Sequence, residues 1–156
     1  IEDRRRTYHA PYHAALKAEL QRVRDLHGVA ILYDCHSIRS RIPFLFEGTL
    51  PDCNIGTNDG ATCAPVIEMA AHGLCRADER YSCVLNGRFK GGWTTRHYGR
   101  PARNIHAIQM ELAQSTYLEA ESPPWDYSPA RALQIRHTLS RLLGKLAHIA
   151  MNGDLR

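Results

Sequence analysis

Three short stretches carry the side chains able to do chemistry. The run Asp34-Cys35-His36-Ser37 sets an acid, an imidazole and a hydroxyl directly after the apolar run 29–33. That apolar run reads as a buried strand. Open α/β sheets form their binding crevices at the carboxyl ends of such strands. Imidazole is the commonest protein metal ligand, and a nearby carboxylate can fix its tautomer. His36 is therefore the candidate metal ligand, with Asp34 and Ser37 as the groups that would support it. The plainer alternative is a histidine satisfied at a strand end.

Glu111 is the second candidate. It stands on the otherwise apolar run 105–112, where a carboxylate is costly unless paired or coordinated. Beside a metal it would serve as a general base for water; equally, it would reach solvent or an arginine from a strand end. The third stretch, 86–99, holds Arg88, Arg96 and His97 among Gly87, Gly91, Gly92 and Gly99. Arginine binds carboxylates through two parallel hydrogen bonds, and glycines let backbone approach a ligand closely. Arg39, just beyond His36, is a further candidate cation. Asn54 and Thr57 offer a substrate contact or a plain turn.

The elements that must position these groups follow from periodicity. Leu16, Leu20, Val23 and Leu26 recur at helical spacing, which predicts a helix over 11–27 opened by Pro11 and stopped by Gly28. Residues 35–60 read as a long loop. A second helix is expected over 63–74, a strand over 81–85, and a loop or bent hairpin over 87–99. In the strand 105–112, Ile105, Ala107, Gln109 and Glu111 should share one face, with His106, Ile108, Met110 and Leu112 on the other. Ile135, Leu139, Leu142, Leu143, Leu146 and Ile149 form one stripe of a last helix over 129–150. Helices alternating with strands predict a single α/β domain over 1–156, with a mainly parallel sheet and helices on both faces.

Composition limits the classes. The 156 residues, 44% hydrophobic and 23% charged, suit one soluble domain with a real core. No apolar run reaches the roughly 20 residues needed to span a bilayer. A net charge of +4 spread along the chain gives no dense basic stripe for nucleic acid. Cys35, Cys53, Cys63, Cys75 and Cys83 are odd in number and contain no Cys-x-x-Cys, which fits reduced thiols in a cytoplasmic protein better than a disulfide framework.

Together with the segments 50–57 and 107–114, these stretches resemble the N-formylglutamate amidohydrolase (formylglutamate deformylase) family, from about Tyr8 to the last helix. The resemblance implies a three-layer sandwich like that of the zinc carboxypeptidases and phosphorylase-hydrolase-like proteins. It implies zinc held by His36, Glu111 as catalytic base, and arginines holding a small acidic N-acyl amino acid, for which Arg39, Arg88 and Arg96 are the candidates, with His97, Asn54 and Thr57 as further candidate contacts. The implied reaction, a late step of histidine degradation, splits N-formyl-L-glutamate into L-glutamate and formate. The family's other zinc ligands, a histidine and an acidic residue, are expected upstream of Ile1, so the chain is expected to be the C-terminal part of a longer hydrolase. Two alternatives remain open: a related zinc amidohydrolase acting on another N-acyl amino acid, and a non-catalytic fragment with an incomplete metal site.

Overall fold

The computed structural model describes residues 1–153 and Leu155. The chain opens with helix α1 (Glu2–Arg4), a π-helical segment (Arg5–His9) and helix α2 (Ala10–His27). Pro11 thus does not open a new helix. It sits just inside α2, after the π turn. Proline has no N–H to bond back to the preceding turn, and the π segment lies directly ahead of it. Gly28 ends α2 at φ 79°, a left-handed conformation suited to glycine.

Four strands follow the helices: β1 (Ala30–Ile38), β2 (Cys53–Gly56), β3 (Cys83–Leu85) and β4 (Ile105–Ala113). Interleaved with them are α3 (Pro65–Arg76), α4 (Trp93–Tyr98) and a final helix α5 (Pro129–Met151). Both α3 and α5 carry proline in the first turn, where its missing N–H leaves no helical bond unmade. The strand order is β1-β4-β2-β3. The β1–β4 and β2–β3 pairs are parallel, while β2 runs antiparallel to β4. The sheet is mostly parallel, as the alternation of elements predicts, with one reversal that it does not.

Strand alternation sends side chains to two cores. Val29, Cys53, Ile55, Ile108 and Met110 pack with Ile67, Ala71 and Cys75 of α3 and with Ile135, Leu142, Leu146 and Ile149 of α5. On the other face Ala30 packs with Leu20 of α2 and Tyr98 of α4, joined by Leu32 and Ile105. The two faces of β4 divide as the sequence predicts. Among the described residues no helix is long and apolar enough to cross a membrane, and all five cysteines are free.

Three expectations need correction. The strand that starts near residue 29 does not stop at 33; β1 runs on to Ile38, so Asp34 and His36 lie within it. Part of the supposed loop 35–60 is β2, all four of whose residues are buried. The glycine-rich stretch contains α4, a six-residue helix. Polar side chains disguise the second half of β1, and β2 is a strand because β4 and β3 pair with it on both sides.

Candidate active site

The register assembles the site. His36 lies opposite Glu111 and Asp34 opposite Gln109 across β1 and β4. Asn54 faces Glu111 and Gly56 faces Gln109 across β4 and β2. Side chains two apart on a strand share a face. One patch of sheet therefore presents Asp34, His36, Gln109, Glu111 and Asn54, on the side away from α3 and α5.

Gly56 has no side chain, and the glycine loop lies directly on that gap. A Cβ at Gly56 would stand 2.5 Å from the Gly91 nitrogen and 2.6 Å from the Lys90 carbonyl carbon. The Asn58 N–H donates to the Lys90 carbonyl at 2.6 Å, clamping the loop. The result is a cavity of about 480 Å³ lined by His36, Glu111 and Gln109 on the sheet side and by Arg88, Phe89, Lys90, Gly91, Gly92 and Arg96 on the loop side.

Glu111 is 7% exposed. Burial pushes its carboxyl above the ordinary glutamate range. Asp34 adds to that rise, while His36 and the hydrogen bond from Gln109 oppose it. A carboxylate reluctant to hold charge is a stronger proton acceptor once ionised, which suits a base for water. Opposite it, His36 is half exposed and its Nε2 meets Asp34 Oδ1 at 3.1 Å. The other Asp34 oxygen accepts from the Thr95 hydroxyl at 3.2 Å, so Asp34 is anchored to α4 and holds the imidazole.

The loop side is cationic. Arg96 donates to the Gly91 carbonyl at 2.7 Å and Arg88 to the Leu45 carbonyl at 2.7 Å. Lys90 pairs with Asp59 at 3.0 Å. Backbone carbonyls take up only part of each guanidinium's five donors, so both arginines keep N–H groups for an anion.

Several predicted site residues lie elsewhere. Ser37 belongs to the alternate face of β1, and its hydroxyl meets Tyr117 Oη at 2.7 Å; it does not support His36. Arg39 follows the end of β1 and lines a separate cavity of about 270 Å³ with Ser37, Gln114 and Trp125. His97 stacks on Trp93 at 4.1 Å and lines a different cleft with Lys17, Arg24, Arg100 and Arg103, because neighbouring positions on a helix turn to different sides. Thr57 is fully buried. Its hydroxyl donates to Glu68 and accepts from Asn86 at 2.8 Å and from the Gly60 N–H at 3.1 Å, so it pins the turn rather than meeting a ligand. Asn54 lies beside Glu111 but is 1% exposed; it donates to the Pro51 and Glu111 carbonyls and braces the strands. Sequence reasoning gave no role to Gln109, Thr95 or Lys90. Gln109 carried one usable signal, an amide two residues from Glu111 on the same strand face.

An α/β domain thus sets a buried carboxylate facing an imidazole–aspartate pair under a cationic glycine loop, a group able to move a proton beside groups able to hold an anion. A family model described as N-formylglutamate amidohydrolase matches residues 1–118. The chain belongs to that family. An N-formylglutamate deformylase of Pseudomonas putida is 54% identical over 136 residues, which are 87% of this chain and 51% of the relative. One from Pseudomonas aeruginosa PAO1 is 49% identical over 136 residues, at 85% and 51%. The chain thus spans about half the length of the curated relatives it matches. The crystal structure of N-formylglutamate amidohydrolase from Ralstonia eutropha JMP134 shares the fold, with a TM-score of 0.82 over 97% of this chain and 56% of that one, at 24% identity.

Proposed function

We propose that this chain supplies the proton-transfer and substrate-anchoring half of an N-formylglutamate deformylase, which hydrolyses N-formyl-L-glutamate to L-glutamate and formate. The observation that carries this reading is Glu111, a buried carboxylate opening into a cavity whose other wall is Arg88, Lys90 and Arg96. The substrate bears two carboxylates for those cations and one formyl amide to present to Glu111.

In this reading Glu111 accepts a proton from water as the water oxygen bonds to the formyl carbon. The carbon–nitrogen bond then breaks, Glu111 returns the proton to the departing amine, and formate leaves. Arg96 and Arg88 hold the carboxylates in place, which converts binding into orientation. Asp34 fixes the ring of His36.

The proposal includes zinc, which when bound polarises a carbonyl oxygen and acidifies water. A catalytic zinc takes three protein ligands. Among the described residues no group of three His, Cys, Asp or Glu side chains is placed to hold a metal ion. A complete zinc site therefore does not fit within them, and His36 contributes one ligand to a centre completed from outside the described residues. That same observation is what favours the alternative of a fragment with an incomplete site.

Formate release from N-formyl-L-glutamate should be lost on dialysis against a chelator and restored by zinc, and His36→Ala should prevent the restoration. Release indifferent to the chelator would remove zinc from the reading. No release by a family-length protein carrying this chain would remove the deformylase.

A further inference from the structure

We propose that Gln109 is a positioning residue for hydrolysis, holding the Glu111 carboxylate and joining it to the glycine turn that carries the cationic wall. The inference rests on the reading of Glu111 as the base. Gln109 is 4% exposed and both ends of its amide are used. The Gly92 backbone N–H meets Gln109 Oε1 at 2.6 Å. A backbone N–H can only donate, so that end of the amide is the oxygen. The other end is then the NH₂ group, and it donates to Glu111 Oε2 at 3.2 Å.

The consequence for Glu111 is geometric. One carboxylate oxygen is held from the side by a buried amide, and the other is left for the water. The held oxygen fixes the plane of the carboxylate, and proton transfer needs the acceptor within hydrogen-bond reach of the water. At its other end Gln109 fixes Gly92, the residue from which α4 starts. Arg96 of α4 is itself anchored to the Gly91 carbonyl. Thr95 of the same helix is fully buried and bonds Asp34, the partner of His36. Base, imidazole and cationic wall are thus tied together through two buried side chains, Gln109 and Thr95. Movement of the loop that holds the carboxylates would be transmitted to the base through a single amide.

The two ends of the amide can be tested separately. Gln109→Glu keeps an acceptor for the Gly92 N–H but replaces the neutral amide donor to Glu111 with a second carboxyl, which repels Glu111 when both are ionised and shares one proton with it when they are not. Gln109→Met keeps the length and loses both. In a family-length protein carrying this chain, Gln109→Glu should lower kcat for N-formyl-L-glutamate by about ten- to a hundredfold, the scale of a slight misplacement of a reacting group. KM should change by less than about twofold, because the cations still bind the substrate. Adding Glu111→Gln to either variant should cost little more than Glu111→Gln alone, since residues acting as one unit are not additive. A Gln109→Glu enzyme with normal kcat would overturn the inference, because a purely structural pin on Gly92 survives that change. If Glu111→Gln itself left kcat intact, the reading of the base would fail instead. Should Gln109→Met prove too unstable to assay, Gln109→Glu decides.

Discussion

Glu111→Gln should lower kcat by about 10²–10⁴-fold, the usual contribution of a positioned acid–base group, while the protein stays folded. The amide keeps the shape and still offers Gln109 an acceptor, but it cannot take a proton. Stability should move in the opposite direction. Burial raises the Glu111 carboxyl above its ordinary range, with Asp34 adding to the rise. For a group whose folded value is raised, the stability it contributes is fully present below the unfolded value. That stability is lost as pH rises through the folded value. In the metal-free chain, the Gln variant should therefore gain on the native protein as pH climbs from the acid side towards neutrality, and unfold at a higher urea midpoint at pH 7. Equal rates for the two proteins would take Glu111 out of the chemistry. Equal midpoints across pH would mean that its charge is not buried.

Gly56→Ala should be the most damaging single methyl in the site. The added Cβ would sit 2.5–2.6 Å from backbone atoms of Lys90 and Gly91, and backbone cannot swing aside as a side-chain tip can. Overpacking of this kind costs about 1–3 kcal/mol. The loop would have to lift from the sheet, taking Arg88, Lys90 and Arg96 away from Glu111, so KM should rise along with the loss of stability. Gly73→Ala is the matched control. That glycine lies within α3, and its Cβ would meet nothing within 4 Å. Alanine there should stabilise by about 0.5–1 kcal/mol. If Gly56→Ala left both midpoint and KM unchanged, the loop would not rest on the sheet as described.

The fold was legible where one physical signal dominated. The apolar period of α5 and the alternation of β4 come from residues that can be buried in only one way, and both elements appear where the pattern places them. The second half of β1 was not legible. At the sheet edge one side of the strand stays in water, so Cys35, His36 and Ser37 are tolerated and read as loop. β2 is not legible in sequence because Cys53-Asn54-Ile55-Gly56 has no strand-forming run of its own; its neighbours decide it. α4 was hidden by Gly91, Gly92, Thr94 and Thr95, all poor helix formers, and it is held by Thr95 and Tyr98, which are buried.

The site shows the same division. His36, Glu111, Arg88 and Arg96 were recognisable from residue type, and the structure brings all four to one cavity. Where a side chain points was a different matter. Ser37 and His36 are neighbours on opposite faces of one strand, so the extent and register of β1 decide which of them meets Glu111. Thr57 and Asn54 look like ligand-binding residues in sequence because polar groups near glycine usually are exposed. Here they satisfy backbone and Glu68 inside the fold. Gln109 offers in sequence only its place two residues from Glu111 on one strand face; its role needs both ends of its amide located.

The measurement that bears most directly on the account is a comparison of kcat/KM for N-formyl-L-glutamate and N-formyl-L-glutamine. The two substrates differ only in the side-chain carboxylate that the cationic wall is proposed to hold. A family-length protein carrying this chain should release formate from both, and favour the glutamate by about 10–100-fold, the worth of one charge-assisted contact. Equal rates on the two, or no formate from either, would contradict it.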